Sequence, residues 1–301
     1  MKRSGMRRLA AFAAAAALGL GLVGCGGAQS AAQGNTGPVN LSVWTYYNGD
    51  QLESFNKLVE TFNDTVGKEK NITVESYSQG SVNDLEAQVM AAAQGKVGAS
   101  AMPNIFMAYA DTAYAMDQMG ELADLAPYFT DEERAAYLDS YLTEGDFDDS
   151  GSIKIFPVAK TTDAEVEASV VFLKWFTQPE NNIAFAVGSG YLPVTHAAND
   201  MDAIHSSGLA LTGSMENVLM EAVDAVNTNE LYTTKAFEGG TDARSKLNYS
   251  MSDLATADRA TVEERLAAGE RAEEAEAEFL TDAYFEAWYQ SLCDALSQYE
   301  G

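Results

Sequence analysis

The stretch LSVWTYYN at residues 41–48 decides the fold of this chain. Its first six residues alternate in character and are rich in β-branched and aromatic types, which predicts a β-strand. Four apolar side chains follow at helical spacing, those of Phe55, Leu58, Val59 and Phe62. This spacing predicts an amphipathic helix. The chain therefore begins its folded part with a strand followed by a helix.

The same unit recurs twice along the next sixty residues. Residues 72–77 and 104–109 predict two further strands, and Ser81 is placed to cap the helix between them. Strands that alternate with helices form a parallel sheet, in which ligands bind beyond the carboxyl ends of the strands. The side chains that we expect at those ends, as one wall of a ligand site, are Tyr46, Tyr47, Gln79, Ser81 and Asp111.

The aromatic residues after the first strand are suited to sugar binding. The C–H faces of a sugar pack on aromatic rings while neighbouring polar groups bind its hydroxyls. Trp44 lies within the strand and is expected in the core. Tyr46 and Tyr47 lie at the strand end, where one of them is expected to face a cleft and a place in the core is the alternative for each.

The N-terminal segment has the pattern of a secreted lipoprotein. Residues 1–24 combine four basic residues with a short Ala/Leu/Gly run, which is typical of a signal peptide. The ending Leu-Val-Gly-Cys resembles a lipobox and predicts lipidation of Cys25, and residues 25–38 predict a flexible stalk. The expected location is extracytoplasmic, with a lipid anchor in the cell membrane. An ordinary signal peptide with an incidental cysteine is the alternative.

Composition argues against several classes of function. The formal net charge of −27 disfavours a nucleic-acid partner. The two histidines, His196 and His205, show no metal-ligand spacing and lie beside no nucleophile motif. We therefore expect no catalytic residues, no metal and no cofactor. Residues 146–153 match the first part of a calcium loop, but Pro157 replaces the final ligand, so a solvated turn followed by a short strand is favoured.

The chain after Lys160 reads as almost entirely helical. A long acidic helix is predicted from Thr261 to Tyr299, with Thr261 and Glu264 as a capping box. Leu280 begins an apolar stripe along this helix that we expect to lie in the core. We accordingly divide the folded chain into a first α/β lobe at 39–160 and a helical remainder at 161–301.

Several blocks resemble the extracellular solute-binding proteins of ABC importers, in the branch that carries sugars and glycerol phosphates. They are LSVWTYYN at 41–48, NIFMAYAD at 104–111 and, most specifically, FLKWFTQPENNIAFAVGSGYLPV at 172–194. The resemblance implies an α/β fold of the type II periplasmic-binding-protein kind, with two lobes that close on a ligand. It also implies a monomer without enzymatic activity that delivers a sugar or polyol phosphate to permease subunits.

Two residues acquire roles from this resemblance. Tyr191, in the Gly-Tyr-Leu-Pro turn, matches a position that touches ligand. Arg244 aligns with an arginine that holds phosphate or sugar hydroxyls, for which a guanidinium is well suited. A surface arginine that caps a helix is the alternative for Arg244.

The chain departs from the family near residues 158–163. Members continue there into the second lobe, whereas this chain passes within a few residues to the helix that contains FLKWF. An in-frame loss between two similar stretches accounts for this, and it predicts an incomplete, mostly helical second lobe. We then expect exposed apolar faces at Val170, Leu173, Phe176 and Phe185. A shortened surface lipoprotein that no longer binds solute is the alternative function.

Overall fold

A small parallel sheet forms the centre of the fold. The computed structural model describes residues 37–232 and 235–299. The predicted signal peptide, Cys25 and nearly all of the stalk lie outside these residues. The sheet has the order β2-β1-β3, and its strands are β1 (Val39–Thr45), β2 (Ile72–Ser78) and β3 (Ile105–Phe106). All pairs are parallel, as predicted, with β1 in the middle.

The predicted helices of the first half are present around this sheet. Leu58 and Val59 are buried on the predicted face of the first helix, and the Ser81 hydroxyl accepts a hydrogen bond from the Asp84 N–H in a capping box. The helical elements are α1 (Gly49–Phe62), a π-helical turn (Asn63–Gly67), α2 (Lys68–Lys70), α3 (Val82–Ala93), α4 (Ala110–Gln118), a 3₁₀ turn (Ala126–Tyr128), α5 (Asp131–Arg134) and α6 (Asp139–Thr143).

An asparagine side chain supports the outer edge of β2. The Asn63 amide Nδ2 donates to the Val74 carbonyl at 2.9 Å, and Asn63 Oδ1 accepts from the Val74 N–H at 2.8 Å. Asn63 is the first residue of the π-helical turn, which brings its amide beside the strand. The π-helical turn therefore satisfies both backbone groups of Val74 where β2 has no neighbouring strand.

The second half is helical, as predicted, but its long C-terminal helix is interrupted. The elements are α7 (Asp163–Phe176), α8 (Pro179–Ser189), α9 (Met201–Ser206), α10 (Gly213–Thr228), α11 (Gly240–Ala267), α12 (Ala272–Glu276) and α13 (Asp282–Ser297). Thr261 lies inside α11, where its hydroxyl donates to the Ala257 carbonyl, so the predicted capping box is wrong. Gly269, with φ of 95°, follows α11 in a left-handed conformation that ends the helix.

The prediction that α7 and α8 expose apolar faces is wrong. Val170, Leu173 and Phe185 are buried in the same hydrophobic core as the residues of β1, and Phe176 is half-buried against it. The rings of Phe62 and Phe172 meet edge to face with centroids 5.1 Å apart. Helix α7 packs on β1 of the sheet, and α8 packs on α1 and α7. One face of a parallel sheet needs such a helical cover.

The predicted junction lies beside the sheet. The Phe106 N–H donates to the Pro157 carbonyl at 3.1 Å, and the Ala159 N–H donates to the Asn104 carbonyl at 2.9 Å. This contact is an isolated antiparallel bridge and not the short strand that the sequence predicts. A capping box on Thr162 then starts α7. In the described part of the chain, the three strands of this sheet are the only ones, so a second lobe with its own sheet is missing there.

Helices α11 and α13 pack on each other as a hairpin, with α12 between them. In α11, Gly240 and Ala243 of the first turns are the buried residues. The expected core position of the apolar stripe is wrong, because Leu280, just before α13, is 79% exposed and the stripe residues on α13 are only half-buried. None of the described helices combines the length and apolar character that a membrane crossing requires.

Candidate functional site

Tyrosine rings from two distant parts of the sequence meet at the carboxyl end of β1. The hydroxyls of Tyr46 and Tyr191 are 2.9 Å apart and share a hydrogen bond. The Tyr47 ring is 6.1 Å from that of Tyr191 and 5.4 Å from that of Phe185. The left-handed Gly190, which follows α8, turns the chain so that Tyr191 reaches the end of β1. The fold thus brings together three of the predicted ligand residues.

A cavity of about 630 Å³ opens beneath this tyrosine group. Its size falls within the range of sites for small organic ligands, roughly 300–1,000 Å³. Aromatic side chains from both halves of the chain predominate in its wall. They are Tyr46, Tyr47, Phe55, Phe106, Tyr109, Tyr141, Phe147, Phe156, Phe172, Phe176, Phe185, Tyr191 and Tyr232.

Gln79 and Ser81 lie outside the lining of the cavity. The Gln79 N–H donates to the Thr45 carbonyl at 2.7 Å, which extends the pairing of β1 and β2 by one bond. The Ser81 side chain is committed to capping α3, since its hydroxyl also donates to the Asp84 carboxylate at 2.7 Å. Their proposed contact with ligand stays a prediction.

Asp111 and Arg244 are brought together, but as partners of each other. Arg244 Nε donates to Asp111 Oδ2 at 2.9 Å, and a terminal nitrogen of Arg244 donates to Glu86 Oε1 at 2.6 Å. The guanidinium also lies 4.4 Å above the centre of the Tyr109 ring. The Thr112 hydroxyl donates to the same Glu86 oxygen at 3.0 Å. This cluster joins α11 to α3 and α4 beside the cavity. The positive charge of Arg244 faces two carboxylates, which leaves one net negative charge.

Several lining residues were not expected from the sequence. Tyr109 ends the third predicted strand, two residues before the predicted Asp111, but it was not among the predicted ligand residues. Tyr141 and Glu144 belong to α6 and to its carboxyl end, in a part of the chain where the sequence showed no strand end. Tyr232 follows α10 and is 87% exposed, and only the folded chain brings it to the cavity.

The charged groups of the cavity are few. Burial raises the pKa of Glu144 above the ordinary value of a glutamate. Lys154 forms a salt bridge with Asp117 at 2.8 Å, with both side chains largely buried. Burial, followed by the hydrogen bond to Tyr191, raises the pKa of Tyr46 well above the ordinary phenol value, so this hydroxyl stays neutral. The cavity thus offers phenol hydroxyls rather than free cations.

The loop that begins at Asp146 forms the solvated turn that the sequence favoured. Asp146 Oδ1 accepts the Ser150 N–H at 3.0 Å, and Oδ2 accepts the Gly151 N–H at 2.8 Å. The Asp146 carboxylate therefore closes its own turn. The Pro157 carbonyl accepts a hydrogen bond from Phe106 of β3 instead of binding a cation. Within residues 37–232 and 235–299, three or more His, Cys, Asp or Glu side chains are nowhere grouped as a metal site would need.

Comparison with protein families identifies the chain. The model of the bacterial extracellular solute-binding protein family matches residues 57–162 and, separately, residues 153–212. The chain belongs to this family. The two matched segments of this solute-binding protein overlap at residues 153–162, next to the junction expected at 158–163.

Solved structures show the same fold. The cyclic α-maltosyl-1,6-maltose binding protein from Arthrobacter globiformis is 13% identical, with a TM-score of 0.53 over 87% of this solute-binding protein and 100% of that chain. The maltose/maltodextrin-binding domain from Bdellovibrio bacteriovorus, bound to maltotriose, is 10% identical, with a TM-score of 0.51 over 72% and 94%.

A third similarity is local. It joins 38% of this solute-binding protein to 27% of the Thermus thermophilus maltotriose binding protein, at 20% identity and a TM-score of 0.29. No curated protein matched the sequence.

Proposed function

We propose that this chain is the lipid-anchored, extracytoplasmic substrate-binding subunit of an ABC importer and binds a carbohydrate in the cavity beneath Tyr46 and Tyr191. The observation that carries the proposal is the meeting of these two hydroxyls over an aromatic cavity at the end of β1. Rings of this kind pack on the C–H faces of a sugar, and phenol hydroxyls bind its polar edge. The sugars bound by the related structures agree with this ligand class.

The charges near the cavity favour a neutral sugar over a glycerol phosphate. A phosphate needs a cation with free hydrogen-bond donors. Arg244 is engaged by Asp111 and Glu86 and lies outside the lining, and Lys154 is paired with Asp117. Glu144 adds an acidic group to the wall. An anionic solute would have to compete with these carboxylates for each cation.

Anchoring and delivery complete the proposal. Cys25 would carry the lipid, residues 25–38 would form the stalk, and the folded body would present its solute to permease subunits. Labelling of cells with a radioactive fatty acid tests the anchor, because Cys25→Ser should abolish incorporation into this chain. Incorporation that persists in the variant would contradict the anchor without affecting the sugar site.

Calorimetric titration with maltotriose, maltose and glucose tests the sugar site. We expect saturable binding of at least one sugar. Tyr191→Ala should weaken this binding about tenfold, because the substitution removes an aromatic ring and a hydroxyl from the opening of the cavity. Tyr289→Ala is the matched control, because Tyr289 is 51% exposed on α13, away from the cavity. Equal losses in both variants would contradict the site.

The second candidate is a shortened surface lipoprotein without solute binding. The observation that favours it is the overlap of the two family matches, together with the single sheet in the part of the chain that the structure describes. A folded protein, shown by a cooperative thermal transition, that binds none of a broad panel of sugars and polyols would select this candidate. A shift of the transition midpoint by one compound would reject it.

A further inference from the structure

We propose that the solute carries an apolar group, such as an aryl or alkyl aglycone, that enters the inner part of the cavity. Its sugar stays at the tyrosine mouth, which is the opening of the cavity lined by Tyr46, Tyr109, Tyr191 and Tyr232. This inference rests on the proposed function, because it assigns the chemical class of the ligand for the same site. Its basis is the contrast between the inner wall and the mouth.

The inner wall is formed by buried hydrocarbon. Val43, Phe55, Ile105, Phe172 and Leu173 line the cavity, and each is at most 7% exposed. They come from β1, α1, β3 and α7, so four elements of the core contribute to one apolar surface. Such a surface stabilises a ligand in proportion to the apolar area that it removes from water.

The buried polar residues of the lining are largely occupied by the protein itself. The Thr177 hydroxyl shares a hydrogen bond of 2.6 Å with Tyr137 and donates to the Leu173 carbonyl at 2.8 Å. Asn182 Oδ1 accepts the Val194 N–H at 2.8 Å. A sugar ring this deep in the cavity would bring several hydroxyls to a wall with few groups left to bind them. Buried hydroxyls without partners oppose binding.

The mouth has the opposite character. Tyr46 is half-buried there, and Tyr109, Tyr191 and Tyr232 are exposed side chains of the lining. Their rings and hydroxyls can contact a sugar that keeps part of its hydration. A cavity of about 630 Å³ has room for a further group beneath that sugar. The geometry therefore matches a ligand with a polar end and an apolar end.

Titration calorimetry of the full chain with phenyl α-maltoside, maltose and phenol tests this inference. We expect phenyl α-maltoside to bind at least tenfold more tightly than maltose, because only the phenyl group buries area on the inner wall. Phenol alone should bind weakly, since it lacks the sugar contacts. Equal affinities for phenyl α-maltoside and maltose would overturn this inference and leave the proposed function intact.

A cavity-filling variant provides the second arm. Ala108 is half-buried and lines the cavity, so Ala108→Phe should reduce the advantage of phenyl α-maltoside over maltose to less than threefold. Ala115→Phe is the matched control, because Ala115 is half-buried on α4 outside the lining, and it should keep the tenfold advantage. An advantage that survives Ala108→Phe would overturn the inference. Absence of binding by all three compounds to the folded chain would overturn the inference, and absence of binding by maltotriose and glucose as well would overturn the proposed function.

Discussion

Glu144 is the acidic residue in the wall of the cavity. Its carboxyl lies in the wall among aromatic side chains, and burial raises its pKa. Burial disfavours the charged form because low-polarity surroundings replace water. The folded protein therefore binds a proton at Glu144 at a pH where the unfolded chain has already released it.

We predict that Glu144→Gln stabilises the protein at pH 7.5 and that the gain shrinks as the pH falls. The contribution of Glu144 is fully present below the unfolded pKa, about 4.3, and is lost as pH rises through the raised folded pKa. Thermal unfolding of both proteins between pH 4 and 8 measures the difference. Exposed Glu221→Gln is the control. A gain that is independent of pH would contradict the prediction.

At the residue scale, the sequence predicted roles that depend on neighbouring residues and missed contacts between residues far apart in the chain. Ser81 was predicted as an N-cap because its role depends on residues three positions away. Tyr46 and Tyr47 were placed at a strand end by the alternation of a single strand. Tyr141 and Tyr232 reach the same cavity only through tertiary packing, which leaves no periodic signal in the sequence. The pairing of Arg244 with Asp111 likewise joins residues far apart in the chain.

Asn63 links the π-helical turn to β2, and of these two elements the sequence predicts only the strand. Its amide bonds both backbone groups of Val74, so the π-helical turn and β2 depend on one side chain.

We predict that Asn63→Ala lowers the free energy of unfolding by about 1–3 kcal/mol, because two backbone groups lose their partner at the sheet edge. Denaturant unfolding measures this change. Asn48→Ala is the control, since the exposed Asn48 side chain forms no cap hydrogen bond with α1, and surface changes of this kind stay within about 0.5 kcal/mol. Similar losses in the two variants would contradict the role of Asn63.

The element scale also shows where the sequence misled. The strands and the first helices were predicted within a few residues, although β3 has two residues instead of six. The continuous helix at 261–299 was wrong because its polar and apolar pattern persists through Gly269, where the backbone turns left-handed. Spacing identifies helical segments, but the left-handed Gly269 ends α11 and a second break at residues 277–281 precedes the Thr281 cap of α13.

At the scale of the whole molecule, α7 and α8 belong to the core of the sheet. The expectation of exposed faces assumed that these helices pack on the missing lobe, and sequence spacing cannot say which surface a helix covers. Leu173 is buried in the same hydrophobic core as the residues of β1. The division of the chain at residue 160 stays a prediction. Residues from both sides of this position lie in one hydrophobic core.

The cluster around Arg244 joins α11 of the α11–α13 hairpin to α3 and α4. We predict that Arg244→Met leaves the Glu86 carboxylate, 8% exposed, without its cation and destabilises the protein by about 1–3 kcal/mol. Hydrogen exchange should then rise in α11 and α13 before it rises in β1.

Arg259→Met is the control for that experiment. Arg259 pairs with Glu263 on the exposed surface of α11, where such pairs contribute about 0.3–0.5 kcal/mol. Unchanged exchange of α11 in Arg244→Met, or an equal change in the control, would show that the Arg244 cluster does not hold the hairpin.

The connection between Ala159 and α7 has a consequence for protein engineering. Lys160, Thr161 and Thr162 are exposed, while the residues before them are fixed beside β3 and those after them start a capped helix. Exposed connections between two firmly held elements tolerate inserted domains. A reporter domain spliced between Lys160 and Thr161 would leave the sheet, its helical cover and the tyrosine mouth in place. The exposed connection at residues 160–162 is thus a natural point at which to insert a new module.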